Sequence, residues 1–233
     1  MICLLGLLLG AGCGLAPRKA VVSLEGVEAP PLDGRAPEPP PEAPRVGHEH
    51  LKSLQAHPAV AERIEQMLGH GRITLTTSLS RSLDFIPMIE RELSEHGVPP
   101  ELAYLPMVES RFRPDAVGRT AVGLWQFTRS TARLYGLRVD RSVDERRDPA
   151  KSSRAAARYL RDLYDQFESW DLALAAYNAG PARVRRALKR RPSATFFELA
   201  RHRLLPPITR RYVPKVLAIS VIGTQPSNFG VEL

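Results

Sequence analysis

The sequence predicts an essentially all-α fold. Three observations carry that prediction. From His48 onward apolar residues recur at helical spacing almost to the end of the chain, capping and breaking residues fall at the ends of those runs, and strand signals are scarce. The β-branched stretch Ile73-Thr74-Leu75-Thr76-Thr77 is the exception, and it is short. No internal repeat is visible.

The elements follow in order. Phe85, Ile86, Met88, Ile89 and Leu93 make the apolar stripe of one amphipathic helix, closed by Gly97 and followed by Pro99-Pro100. A second helix is expected from about Glu101 to Ser110, and a third from near Leu124 to Gly136. A fourth opens at Asp148-Pro149, a capping residue followed by proline at the first helical position. Its stripe is Ala156, Tyr159, Leu160, Leu163, Tyr164 and Phe167. The runs Trp170 to Ala179, Pro181 to Arg190 and Ile208 to Ile222 supply further helices.

At 233 residues the chain holds one globular domain plus extras. Its first stretch, Met1 to Gly12, is almost wholly apolar and uncharged. It is shorter than the roughly 20 residues a membrane-spanning helix needs, and reads as the hydrophobic region of a secretory signal. It ends Leu9-Gly10-Ala11-Gly12-Cys13, which resembles the cleavage and lipidation site of bacterial lipoproteins. Two departures stand against the match: no basic residue precedes the apolar run, and Gly10 occupies a position where leucine is usual. Plain secretion is the other reading. Cys3 would leave with the signal and Cys13 would carry lipid, so the mature domain is expected to have no disulfide, thiol nucleophile or cysteine-based metal site.

Residues 13–46 read as an extended tether, because from Glu28 to Pro44 they are dominated by proline with Glu, Ala and Gly, as in Pro37-Glu38-Pro39-Pro40-Pro41-Glu42-Ala43-Pro44. Residues 47–98 read as a helical lead-in, 99–223 as the domain that carries the chemistry and 224–233 as a C-terminal tail. The net charge of +8 suits anionic headgroups or carboxylate-bearing cell-wall peptides. For an exported chain it argues against nucleic acid. A solvated arginine-rich surface is the plainer explanation.

Glu109 ends the apolar run Leu102-Ala103-Tyr104-Leu105-Pro106-Met107-Val108. A carboxyl in such a place is partly withdrawn from water, and desolvation favours the protonated form that a general acid requires. Taken alone, a solvated residue or a salt-bridge partner explains it as well. Its company decides otherwise. Glu109-Ser110-Arg111-Phe112, Gly123-Leu124-Trp125-Gln126-Phe127, Ala175-Ala176-Tyr177-Asn178-Ala179-Gly180 and Tyr212-Val213-Pro214-Lys215, in that order, resemble the soluble-lytic-transglycosylase family, most nearly its membrane-bound type D members. The resemblance covers about Pro99 to Ala218.

It implies a goose-lysozyme-like helical fold and a peptidoglycan substrate. It makes Glu109 the catalytic acid and base, with Ser110 its neighbour in the motif. Gln126 becomes a sugar-contacting amide, with Trp125 and Phe127 walling the cleft. Tyr177 and Asn178 position substrate and orient the carboxyl, and Tyr212 belongs to the last motif. Aromatic faces stack on sugar rings, and amides both donate to and accept from hydroxyl and acetamido groups. Read without the motif, Trp125, Phe127 and Tyr177 serve equally as core residues, and Arg183, Arg185 and Arg186 as a solvated face.

The sequence departs from the family in two places. The loop from Arg113 to Val122 is one residue short, leaving a hydroxyl near the carboxyl either absent or supplied by Thr120. Ile208-Thr209 stands where Glu-Thr is typical.

Most glycosidases use two carboxylates. Here Asp148 reads as a helix cap, Asp171 as a residue of a helix start, and Asp140 and Asp144 as loop residues. Asp115 stays open as a second carboxylate. The one-carboxylate route implied by the family is non-hydrolytic: the bond between N-acetylmuramic acid and N-acetylglucosamine breaks and the muramic 6-hydroxyl closes a 1,6-anhydro ring. It needs no metal or cofactor. A muramidase hydrolase on the same scaffold and a non-catalytic wall-binding protein are the competing readings. The expected setting is the periplasm, as a monomer anchored by lipid to the outer membrane.

Overall fold

The computed structural model describes residues 53–233. The apolar leader, Cys13, the proline-rich tether and the first residues of the lead-in lie outside the described residues. Residues 53–56 form a helical turn. Ten helices follow: α1 (Pro58–Leu68), α2 (Arg72–Ser82), α3 (Ile86–Glu95), α4 (Leu105–Glu109), α5 (Arg129–Leu134), α6 (Pro149–Phe167), α7 (Trp170–Ala179), α8 (Pro181–Arg190), α9 (Phe196–Arg201) and α10 (Pro207–Thr224). One two-stranded antiparallel ribbon, β1 (Ala121–Val122) and β2 (Phe127–Thr128), pairs Ala121 with Thr128 and Val122 with Phe127. The all-α expectation holds. Among the described residues no helix is long and apolar enough to cross a membrane.

Local chemistry sets the helix ends. Asp148 caps α6 by accepting from Lys151 N at 2.9 Å, and Ser169 caps α7 by accepting from Leu172 N. Thr195 and Glu198 form a reciprocal capping box at α9. The expected helix over Glu101 to Ser110 is in fact a 3₁₀ turn, Pro100–Tyr104, running into the short α4. Pro100 and Pro106 each occupy the first turn of their segment, where a missing N–H is harmless.

Two expectations are corrected. Ile73 to Thr77 is helical, inside α2. Leu75 and Leu79 pack into the core while Ile73 is 82% exposed, and Thr76 Oγ1 donates back to Arg72 O at 3.0 Å. A one-sided apolar face at helical spacing outweighs β-propensity there. The helix expected from Leu124 begins only at Arg129, behind the N-cap Thr128. Gly123 (φ 86°) and Gln126 (φ 49°) are left-handed, so that stretch turns back as the β-ribbon.

The core gathers around α10. Between Thr209 and Gly223 only Arg210, Arg211 and Lys215 escape full burial, the pattern of a helix enclosed on nearly every side. It packs against α1, the 3₁₀ turn, α4 and α7. Close approach requires glycine at 223, where a Cβ would lie 2.4 Å from the Tyr104 ring. The lead-in contributes Val60, Ile64, Leu75 and Leu79 to the same core as the rest of the chain. α3 is clamped to α6 by Arg154, which donates from Nε and Nη2 to the buried Glu92 carboxylate at 3.1 and 3.0 Å. The C-terminal segment packs down too: Val231 is buried and Arg72 donates to Gly230 O.

Two glycines with almost equal φ separate steric from conformational cost. A Cβ on Gly123 would stand 1.8 Å from Arg146 O, whereas one on Gly136 (φ 85°) meets nothing nearer than 3.8 Å. Gly136→Ala is expected to cost about 1 kcal/mol and Gly123→Ala more than about 2 kcal/mol. Urea unfolding midpoints of the two variants measure the difference.

Candidate active site

Glu109 is the last residue of α4, and Ser110 caps that helix. Ser110 Oγ donates to Pro106 O and accepts from Arg113 N, both at 3.2 Å. The chain then reverses through two consecutive left-handed residues, Arg111 (φ 57°) and Phe112 (φ 54°). Such backbone costs on the order of 1 kcal/mol or more per residue and persists only where the surroundings enforce it. Here the buried Phe112 ring, stacked on Phe85 at 6.5 Å, supplies the anchor.

Tyr212 of α10 donates from its hydroxyl to Glu109 Oε1 at 2.5 Å, across 103 residues of sequence. Tyr177 of α7 lies within reach of the same charge and donates to Trp125 O at 2.7 Å. Burial first, and the Glu109 charge second, push both phenols well above their ordinary value. Both therefore remain protonated donors at any pH near neutrality. Among the described residues Glu109 is the carboxylate whose charge contributes to both shifts. Beside Tyr177, Asn178 Oδ1 accepts from Thr209 Oγ1 of α10 at 2.9 Å. The structure thus brings together Glu109, Tyr177, Asn178 and Tyr212, with Ser110 supporting the turn.

Three other sequence-selected residues take different places. Trp125 is fully buried, its Nε1 donating to Ser153 Oγ at 2.9 Å, and Phe127 is 2% exposed against Tyr159 and Tyr177. Neither ring walls a cleft. They belong to the core, and Trp125 acts on the site through its carbonyl, which holds Tyr177. Gln126 directs Nε2 to the carbonyls of Gly123 (2.9 Å) and Ala116 (3.3 Å), inside its own loop. The donors expected to face a sugar are engaged with backbone. Gly118 makes room for this amide, since a Cβ there would lie 2.6 Å from Gln126 Oε1. Thr120 is exposed, and Ile208 is 41% exposed at the start of α10.

The carboxylates weighed against Glu109 are otherwise employed. Asp115 is 77% exposed and pairs with Arg113 at 3.7 Å. Asp140 accepts from Arg138, Ser142 and Val143, and these bonds hold its carboxyl well below the usual range. Asp148 is the α6 cap and Asp171 lies in the first turn of α7. Asp144 pairs with Arg146 at 2.7 Å. Arg146 is a residue that sequence reasoning missed. It is 6% exposed, binds Asp144 in bidentate fashion and donates from Nη1 to Phe127 O at 3.1 Å. The guanidinium therefore bolts the β-ribbon to the loop before α6. Its signal was hidden in the charge-dense Asp144-Glu145-Arg146-Arg147 run, which reads as solvated. Among the described residues no group of three His, Cys, Asp or Glu side chains converges as a metal site.

Residues 87–199 match the family model "Transglycosylase SLT domain". The chain is 40% identical over 194 residues to the membrane-bound lytic murein transglycosylase D of Escherichia coli K12, covering 81% of this chain and 42% of that protein. It is 36% identical over 105 residues to the peptidoglycan transglycosylase gp16 of Escherichia phage T7, covering 43% of this chain and 8% of the phage protein. The chain thus spans well under two thirds of these relatives. Its fold superposes on the X-ray structure of an inactive mutant of the lytic transglycosylase Slt from Pseudomonas aeruginosa with TM-score 0.53 and 23% identity, over 80% of this chain and 39% of that one. The matched SLT domain contains Glu109, Tyr177 and Asn178, while Tyr212 comes from the helix beyond it; through that domain this chain belongs to the SLT family of transglycosylases.

Proposed function

We propose that this chain cleaves the β-1,4 bond between N-acetylmuramic acid and N-acetylglucosamine in peptidoglycan without water, leaving a 1,6-anhydromuramic end. The observation that carries the reading is the hydrogen bond from Tyr212 to the Glu109 carboxyl, beside a protonated Tyr177. Names borne by the relatives, lytic murein transglycosylase and peptidoglycan transglycosylase, support the same substrate.

In this reading Glu109 gives its proton to the glycosidic oxygen as the C1–O bond breaks. The muramic 2-acetamido oxygen bonds to C1, as an oxazolinium. Glu109, now ionised, takes the proton of the 6-hydroxyl, whose oxygen attacks C1 and releases the acetamido group. The proton count closes on one carboxyl, so each turnover restores the starting state. Because the hydroxyl is tethered to the reacting sugar, its effective concentration far exceeds that of a free nucleophile. Tyr212 fixes the orientation of the carboxyl throughout. Asn178, held at Oδ1 by Thr209, offers its Nδ2 donors to a substrate oxygen. Ser110 and Gln126 act by shaping the turns on either side of the site, and Trp125 and Phe127 by packing behind it.

The periplasm is the compartment in which this substrate is met. Anchoring through a lipidated Cys13 on a proline-rich tether completes the proposal, supported by Leu9-Gly10-Ala11-Gly12-Cys13.

Digestion of purified peptidoglycan, followed by mass spectrometry of the soluble products, tests the reaction. Anhydromuramic products are expected, and reducing-end products instead would identify a hydrolase. Glu109→Gln should lower turnover by about 10³-fold or more, the upper range of acid–base contributions. Tyr212→Phe should retain the fold and lose about tenfold in kcat, as expected for removal of one hydrogen bond to a charged group. Cys13→Ser in the full chain should abolish incorporation of labelled palmitate and shift the protein from the membrane to the soluble fraction.

A further inference from the structure

A cavity of about 520 Å³ opens between α1, α2, α4 and α10. Its wall carries five basic side chains, Arg63, His70, Arg111, Arg211 and Lys215, and neither aspartate nor glutamate. Met107, Leu75 and Met67 supply an apolar floor. Lys215 lies one turn beyond Tyr212, the hydrogen-bond partner of Glu109, and interacts with the Glu109 charge, so this edge of the cavity faces the catalytic carboxyl.

The cations are crowded. The Lys215 ammonium is pushed below its ordinary value by desolvation and then by Arg111, with Glu109 pulling it back up and Arg63 adding to the depression. Partners within the protein are sparse. Arg63 donates to the neutral Gln66 amide oxygen and meets Glu62 at 3.7 Å, but that carboxylate is 57% exposed, a weak counter-charge. Among the described residues no hydrogen bond or ion pair engages the side chains of Arg111, Arg211 or Lys215. Like charges held together around a concave, partly apolar surface attract an anion, and guanidinium groups favour carboxylates that can be gripped in bidentate fashion.

We propose that this cavity is a subsite for the carboxylate-bearing peptide carried by the muramic residue at the cleavage point, an assignment that rests on the transglycosylase reading of Glu109. Position supports it. A strand whose glycosidic oxygen reaches Glu109 places the muramic substituents within a few ångströms of that carboxyl. Volume supports it as well, because 520 Å³ lies in the range of small-ligand sites and accepts a short peptide. Arg63 and His70 come from the lead-in, and Arg211 and Lys215 from α10, all outside the matched SLT domain of residues 87–199. Recognition of the peptide is thus added to the domain by the segments flanking it.

Calorimetry on the full chain carrying Glu109→Gln measures binding without turnover. The probes are a disaccharide bearing the muramic peptide, the same compound with its peptide carboxylates amidated, and the peptide-free disaccharide. The peptide-bearing probe is expected to bind at least about tenfold more tightly than the peptide-free one, the equivalent of one charge-assisted hydrogen bond. The amidated probe should bind like the peptide-free disaccharide. Adding Arg63→Gln and Arg211→Gln should erase the preference while leaving the peptide-free affinity unchanged, and lysine at both positions should restore most of it. Equal affinity for the first and third probes, or a preference that survives amidation, overturns the proposal. So does a glutamine pair that weakens all three probes alike. Because the readout is binding, its failure is distinct from absence of anhydro products in the digestion.

Discussion

The hydrogen bond from Tyr212 to Glu109 is the constraint on which the rest of the site depends. It joins the end of a five-residue helix to α10, which has more buried residues than any other described helix. A helix as short as α4 has little stability of its own, since nucleation fixes several residues for few bonds. Its orientation is therefore set from outside, by α10 and the 3₁₀ turn before it. α10 in turn is held by α1 on one side and α7 on another. The lead-in is consequently part of the machinery that aims Glu109, though it carries none of the motifs.

The loop between Arg111 and Thr128 shows how backbone strain is distributed. Arg111, Phe112 and Gln126 all adopt left-handed backbone without being glycine. Each is over-determined by something buried: the Phe112 ring against Phe85, the Gln126 amide against two carbonyls, the Arg146 guanidinium against Phe127 O. Trp125 sits at the centre, its indole N–H satisfied by Ser153 and its carbonyl by Tyr177. Removing water from these polar groups is costly unless every one is paired, which explains the density of side-chain-to-backbone bonds in so short a segment.

Much of this was legible in the sequence, and what was not has identifiable causes. Helices with both a cap and a stop were read to within a residue or two. Asp148-Pro149 opens α6, and Gly180-Pro181 separates α7 from α8. Ile73 to Thr77 misled because β-branching is a weak local preference that a buried helical face overrides. Leu124 misled because Leu-Trp-Gln-Phe has the composition of a helix start, while the left-handed φ of Gln126 depends on Gly118 and Arg146, distant partners that composition does not encode. Motif membership does not distinguish a ring facing ligand from a ring facing core. Trp125 and Phe127 are the latter, and their place in the pattern reflects packing behind the site.

Electrostatics follows the same division between domain and flanks. The SLT segment supplies Glu109, Tyr177 and Asn178, groups suited to moving one proton and orienting neutral sugar hydroxyls and amides. Most of the cationic cavity comes from α1, α2 and α10. The two functions make opposite demands. On the proposed assignments, proton transfer calls for a carboxyl held in one orientation, whereas anion binding calls for clustered positive charge. Tyr212 gives the Glu109 carboxyl a neutral hydrogen bond, and Lys215, whose ammonium interacts with the Glu109 charge, marks where the cationic cavity meets it.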